Sequence, residues 1–265
     1  MKRAWKSCAS MVSRSKVPAV FSNKTVLITG ANRGIGLALA EAFAQAGANL
    51  LAHSRVASDA FSKDMLDLAT QYGVRVQCLS FDMTDTPAMK AAVNEALPVG
   101  RPIDVLVNNA GISHGGLFQM TPVSVVRGVF DVNFFAQLEL TQLIRRRMIR
   151  QKSGAIVNVG SIAGLDLLAG NIAYGTSKAA LMACTQTLAA EVGSLGVRVN
   201  AVAPGLTDTA MATQMEKKAK TRMIESSAMR RLAKADEIAQ VVLFLASDAA
   251  SFVNGQIIPV NGGSA

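Results

Sequence analysis

In "YGTSK", residues 174–178, a tyrosine and a lysine stand four residues apart, and Tyr174 is one of only two tyrosines in the chain. On a helix that spacing puts both side chains on one face. A free phenol has a pKa of about 10, so only ~0.1% is phenolate at pH 7, and a positive charge within roughly 4–6 Å lowers that pKa by about 1–3 units. Lys178 is placed to supply such a charge. Ser161, in "VGSIAG", can hydrogen-bond a carbonyl and orient it, and Asn133, in "DVNFFAQ", can support a water behind the lysine. This set suits proton transfer at a carbonyl oxygen. Each residue also has a plainer role: a half-buried aromatic, a solvated amine, a turn cap and a polar helix residue. Singly those roles explain them; jointly the residues point to catalysis.

A second cluster suits a phosphate ligand. "TGANRGIG" places Gly30, Asn32, Arg33, Gly34, Ile35 and Gly36 between an apolar run and a helical pattern. Glycines there allow a tight turn and close backbone approach, and the helix N-terminus offers free N–H groups to a pyrophosphate. A plain strand-to-helix turn would need one glycine rather than three. The spacing is G-x-x-x-G-x-G, not G-x-G-x-x-G, so the turn is expected to differ in detail. An NAD site carries an acid about 20 residues onward, on the ribose hydroxyls. Here Ser54 holds that place and Arg55 follows. A carboxylate would repel a 2′-phosphate, whereas guanidinium groups such as Arg33 and Arg55 bind one. NADP(H) is therefore favoured over NAD(H). Asp82, followed by Met83, is a candidate for the adenine amine, although Thr84 or Asp85 would suffice as a helix cap. Asn109, Ala110 and Gly111, in "NNAG", would put small groups beside the cofactor.

The elements needed to position these residues follow from periodicity. Short apolar runs ("KTVLITG", "NLLAHS", "VRVQCLSF", "IDVLVNNAG", "GAIVNVGS", "VRVNAVAPG", "GQIIPV") alternate with helical patterns near 34–47, 57–72, 86–97, 122–150, 173–194 and 235–246. Strands of this kind, separated by helices, imply a parallel sheet covered on both faces. The expectation is one doubly wound, Rossmann-type α/β domain over residues 23–265, with a mostly parallel sheet of about seven strands. Ligands of such sheets sit at the carboxyl ends of the strands, where the unusual residues fall.

These residues, in this order, resemble the short-chain dehydrogenase/reductase family over about residues 23–263: TGxxxGxG at 29–36, NNAG at 108–111, Asn133, Ser161, Y-x-x-x-K at 174–178, "VAPG" at 202–205 and "VNGG" at 260–263. The resemblance implies hydride transfer between a nicotinamide cofactor and a ketone/alcohol pair. Tyr174 would be general acid or base, Ser161 would polarise the carbonyl, Lys178 would bind the nicotinamide ribose and lower the Tyr174 pKa, and Asn133 would complete a relay through water. Pro204, Gly205, Thr207 and Thr209, in "PGLTDT", would lie by the carboxamide. "TGANRGIG" and "VNVGSIAG" are similar to the 3-oxoacyl-[acyl-carrier-protein] reductase branch. That branch implies an acyl thioester on a carrier protein, docked by basic residues. Lys152 and the arginines before it meet one half of that pattern; Leu195 stands where a second basic residue would be expected. A homodimer or homotetramer is expected on the same grounds.

Substrate walls are expected from 112–118, 164–170 and 207–226, with His114, Leu165 and Leu167 as contacts and the last segment as a mobile lid. Small cyclic, sugar-derived or steroid-like alcohols are the alternative substrates, and a non-catalytic NADP(H) sensor is a further reading. Of the formal charge of +9, Lys2, Arg3, Lys6, Arg14, Lys16 and Lys24 supply six, leaving +3 elsewhere. Residues 1–22 are expected to be a flexible basic extension. They lack the apolar run of a secretory signal, which needs roughly 7–15 residues, and their acid-poor composition leaves an organelle transit peptide open. No run of about 18 apolar residues occurs, so no membrane span is expected. No recognition motif for nucleic acid appears, and three scattered cysteines form no metal spacing. Cytoplasmic residence is the expectation.

Overall fold

The computed structural model describes residues 19–210 and 217–264. The arm over residues 1–18, and residues 211–216 of the expected lid, lie outside them. Phe21 is buried and meets Phe43 edge-on at 5.1 Å. The folded body therefore starts before residue 23, earlier than the sequence reading places it.

Seven strands form one sheet: β1 (Thr25–Ile28), β2 (Asn49–Ser54), β3 (Val76–Ser80), β4 (Val105–Asn108), β5 (Gly154–Val159), β6 (Val197–Pro204) and β7 (Ile257–Val260). Their order is β3-β2-β1-β4-β5-β6-β7, and every neighbouring pair is parallel. Successive strand residues point to opposite faces, and both faces are buried. Val26, Ile28, Val105, Val107 and Val157 join one core with helices α1 (Gly34–Gln45), α2 (Asp59–Tyr72) and α9 (Ala235–Ala246). Leu27, Leu51, Leu106, Ile156 and Val199 join the other with α3 (Thr86–Ala96), α5 (Ala136–Gln151) and α7 (Ile172–Val192). On α5, Leu140, Ile144 and Met148 repeat every fourth residue and are fully enclosed; this is the apolar stripe the helix turns to the sheet.

The helix expected over 122–150 is interrupted. After α4 (Val123–Phe130) comes a π-helical turn, Asp131–Phe135, and then α5. The wider turn carries Asn133, and π-turns of this kind recur at functional sites. Two short elements escaped the apolar pattern: α6 (Ala163–Asp166), directly after Ser161, and α8 (Lys217–Ser226), inside the polar stretch. Both are too short or too polar to show a core-facing stripe. Among the described residues no helix is long and apolar enough to cross a membrane.

The chain leaves β1 toward β2 and β3, then returns on the other side of β1 to make β4. The connections after β1 and β4 therefore depart in opposite directions and open a crevice at their carboxyl ends.

Candidate active site

Thr29 and Asn109 join the two sides of that crevice. The buried Thr29 hydroxyl accepts the N–H groups of Asn109 and Ala110, each at 2.9 Å. The Asn109 amide donates to the carbonyls of Thr29 at 2.8 Å and Gly30 at 3.2 Å. Gly30 has φ +67° and Gly34 φ +54°, a region that favours glycine. Gly36 is required for a different reason: a Cβ there would lie 1.9 Å from the Gly30 carbonyl oxygen and 2.7 Å from the Asn109 amide. α1 begins at Gly34; Arg33, in the N-cap position, makes no side-chain cap, and no acid stands in the first turn. Its leading N–H groups and positive dipole end therefore face the crevice unclaimed by side chains, which fits a pyrophosphate. Asn32 and Arg33 are exposed on this turn, Ile35 is part-buried, and Thr209 packs across from Gly34.

At the end of β2, Ser54 is buried and its hydroxyl donates to the Val56 carbonyl at 2.9 Å, which shapes the turn that exposes Arg55. Asp82 is exposed after β3. The Thr84 backbone N–H and hydroxyl both bond one of its oxygens, at 2.9 and 2.7 Å, and with the Arg55 charge they hold the carboxyl below its ordinary value. The cap of α3 is Asp85, which accepts from Ala88; Asp82 is not needed for it. Met83 is in the core, so only its backbone faces the crevice.

Across β5 the second cluster assembles. Ser161 follows the strand, and its hydroxyl accepts the Ala163 N–H at 3.1 Å, which turns the chain into α6. Tyr174 and Lys178 share one face of α7, as their spacing predicts. Burial pushes the Tyr174 phenol up, and a hydrogen bond with Ser161 opposes the shift. Lys178 is 3% exposed; burial lowers its pKa to about 8, and its ammonium donates to the Val159 carbonyl at 2.7 Å. Burial thus sets the direction of the Tyr174 shift, opposite to the one expected from a neighbouring charge, and the lysine is held by the end of β5. At neutral pH the phenol holds the proton that a general acid must carry before it donates.

Asn133 binds the same region from the other side. Its side-chain oxygen accepts the Ile112 N–H at 2.8 Å, and its amide donates to the Ile112 carbonyl at 2.9 Å and to the Ser177 hydroxyl at 3.0 Å. Ser177 in turn donates to the Tyr174 carbonyl at 2.7 Å. A Cβ on Gly111 would sit 3.1 Å from the Asn133 oxygen and 3.4 Å from the Lys178 nitrogen. Gly111, Asn133 and Lys178 therefore converge, and Asn133 stitches the end of β4 to the helix that carries Tyr174.

The other predicted positions divide. Gly205, after β6, lets the chain pass Asn261, where a Cβ would meet the Asn261 Cα at 2.8 Å; Thr207 donates back to the Gly205 carbonyl at 3.0 Å. The loops holding His114 and Leu167 are tied by the Gly116 N–H, which donates to the Gly170 carbonyl at 2.9 Å. Leu165 and Leu167 are exposed and do not line the adjoining cavity. That cavity, about 280 Å³, is walled by Ile162, Leu168, Leu206, Met223 and Ile224, and touches the cluster through Ile162 rather than through Ser161 or Tyr174. Thr29, His53 and Ser177 were not singled out from the sequence, although Thr29 abuts the glycine turn and Ser177 lies within "YGTSK".

The family model described as enoyl-(acyl carrier protein) reductase matches residues 30–265. The chain is a short-chain dehydrogenase/reductase. The 3-oxoacyl-[acyl-carrier-protein] reductase of Thermotoga maritima is 37% identical over 244 residues, 91% of this chain and 97% of that protein. The Brucella melitensis structure of the same description superposes with TM-score 0.88 at 30% identity, covering 98% of each chain. A Beutenbergia cavernae structure described as an NAD(P)-dependent gluconate 5-dehydrogenase, with bound NADP, gives TM-score 0.86 at 34% identity over 92% of this chain and 98% of that one. This short-chain dehydrogenase/reductase is a nicotinamide-dependent oxidoreductase of the ketone/alcohol class. Gly36→Ala should lower its stability by about 1–3 kcal/mol through overpacking and weaken nucleotide binding. Thermal melts and NADPH fluorescence titration check this; unchanged values of both would contradict the crossing described above.

Proposed function

We propose that the enzyme reduces the ketone of a 3-oxoacyl thioester to the secondary alcohol with NADPH. The observation that carries the reading is the pairing of buried Ser161 with part-buried Tyr174 beside Lys178, set across the crevice from an uncapped helix N-terminus. The nucleotide supplies the hydride. Ser161 would hold the ketone oxygen, Tyr174 would give it a proton, and the Lys178 ammonium would stabilise the phenolate that remains and hold the ribose. Asn133 would keep Lys178 and Tyr174 in register and back the relay that restores the proton.

Support for NADPH comes from Arg33 and Arg55, both exposed at the crevice rim, with no carboxylate at the end of β2. Support for a carrier-bound thioester comes from relatives of that description and from exposed Arg146, Arg150 and Lys152 at the end of α5. Leu195, 43% exposed, leaves the second half of the docking pattern unmet. Self-association as a dimer or tetramer is supported by exposed Phe118, Met120, Val123 and Phe135. Cytoplasmic residence accords with the free thiols of Cys78 and Cys184.

NADPH oxidation over acetoacetyl thioester, cyclic ketones, sugar-derived ketones, steroids and an enoyl thioester tests the substrate. The expected result is fastest turnover of acetoacetyl thioester; preference for a cyclic or sugar-derived ketone would replace it, and no turnover of any would favour a sensor. Tyr174→Phe should lower kcat by about 10²–10⁴-fold with NADPH affinity nearly intact; comparable activity would remove the proton donor assigned here. Because Ser54 is buried and tied to Val56, the cofactor preference is better read at Arg55. Arg55→Ala should raise KM for NADPH about tenfold, the loss of one charge-assisted bond, and leave KM for NADH little changed. Equal effects on both would contradict a 2′-phosphate contact.

A further inference from the structure

His53 is the buried polar residue that the catalytic reading leaves unused. It lies in β2, 1% exposed, between the glycine turn and the end of β3. Its backbone carbonyl accepts the Ala31 N–H at 2.7 Å, and its Nδ1 lies 3.3 Å from the Gly30 nitrogen. One residue thus receives two successive N–H groups of the turn. Its Nε2 lies 2.9 Å from the Phe81 carbonyl oxygen, and the ring lies against Phe81 with centroids 4.1 Å apart.

The partners fix the tautomer. A backbone N–H can only donate, so Nδ1 accepts from Gly30; a carbonyl can only accept, so Nε2 carries the proton and donates to Phe81. Burial lowers the His53 pKa, which keeps the ring in the neutral form this arrangement needs. Asp82, the charged neighbour acting against that shift, lies one residue beyond Phe81.

We infer that His53 is a positioning residue for the dinucleotide, joining the phosphate side of the crevice at Gly30 to the adenosine side at Phe81–Asp82 so that the pocket is formed before the ligand arrives. The inference rests on the reading that the glycine turn takes NADP(H). Gly30, at φ +67°, is one of the residues whose backbone is freest to take other conformations, and the His53 acceptor is what meets its N–H in this one. Without an acceptor for its N–H the turn would have to be ordered during binding, and that ordering weakens affinity. Chemistry at Tyr174 lies across the crevice and does not depend on it.

The substitutions separate the two bonds. His53→Phe keeps a ring against Phe81 and removes both. His53→Asn offers an acceptor near the place of Nδ1, and His53→Gln a donor near the place of Nε2. NADPH fluorescence titration gives Kd without turnover, thermal melts give stability, and steady-state kinetics separate KM from kcat. His53→Phe is expected to raise Kd and KM for NADPH about tenfold, the effect of one orphaned buried donor, with kcat at saturation within about twofold of wild type; His53→Asn is expected to recover most of the loss and His53→Gln less. Wild-type Kd in His53→Phe, or a fall in melting temperature with no change in Kd in any variant, would overturn the inference. If His53→Phe does not fold, Asn and Gln decide: tighter NADPH binding by Asn than by Gln supports the inference, and the reverse order or equality overturns it. A wild-type protein that binds neither NADPH nor NADH would instead remove the cofactor reading beneath it.

Discussion

The buried ammonium of Lys178 places a heavy demand on the residues around it. It lies inside the protein, where burial alone brings its pKa to about 8. The amine is therefore still largely charged at neutral pH, in a place where an isolated charge is strongly disfavoured. Much of the local structure answers to it. The Val159 carbonyl, freed at the end of β5, faces it. Gly111 carries no side chain that would crowd it, and Asn133 is brought close by a π-turn in an otherwise regular helix. Perturbed groups in a cleft mark functional sites, and this one lies next to the only pairing of a phenol with a serine hydroxyl among the described residues that shifts a tyrosine pKa.

The sheet makes the second half of the site possible. Because the chain reverses direction between β1 and β4, the glycine turn and the "NNAG" segment meet without any loop crossing the crevice. Thr29, Asn109 and Gly36 then bring two backbones closer than side chains would allow. The glycine-turn side of the crevice is thus built mainly from backbone and small groups, and the Tyr174 side from side chains that follow β5 and lie on α7. On the proposed reading the division would separate binding from chemistry, so that a residue such as His53 would affect one without the other.

Much of this was legible in the sequence because the signals are local. The seven apolar runs specify the strands, since a parallel strand buried on both faces must be apolar throughout. The spacing of Tyr174 and Lys178 already implied a shared helix face. Partners brought together by the fold were not legible. Nothing near Lys178 in sequence announces Val159, nineteen residues away, and the direction of the Tyr174 shift depends on an enclosure that no spacing reveals. The π-turn at Asn133 leaves the helical pattern intact on both sides and so resembles an unbroken helix. His53 was hidden in an apolar run, where a histidine reads as an interruption until Gly30 and Phe81 are seen on either side of it. The burial of Ser54 and Phe21, and the polar helix α8, likewise depend on neighbours rather than on their own residue types.

If the charged lysine is retained for chemistry and not for folding, removing it should help the fold and harm the reaction. Lys178→Met keeps a flexible side chain of similar length and removes the charge. The decisive measurement is the melting temperature together with NADPH-dependent ketone reduction, both at pH 7, for this variant and the wild type. The account predicts a melting temperature higher by about 3 °C or more with turnover lower by about 10²-fold or more. A variant that melts lower while still reducing ketone would contradict it.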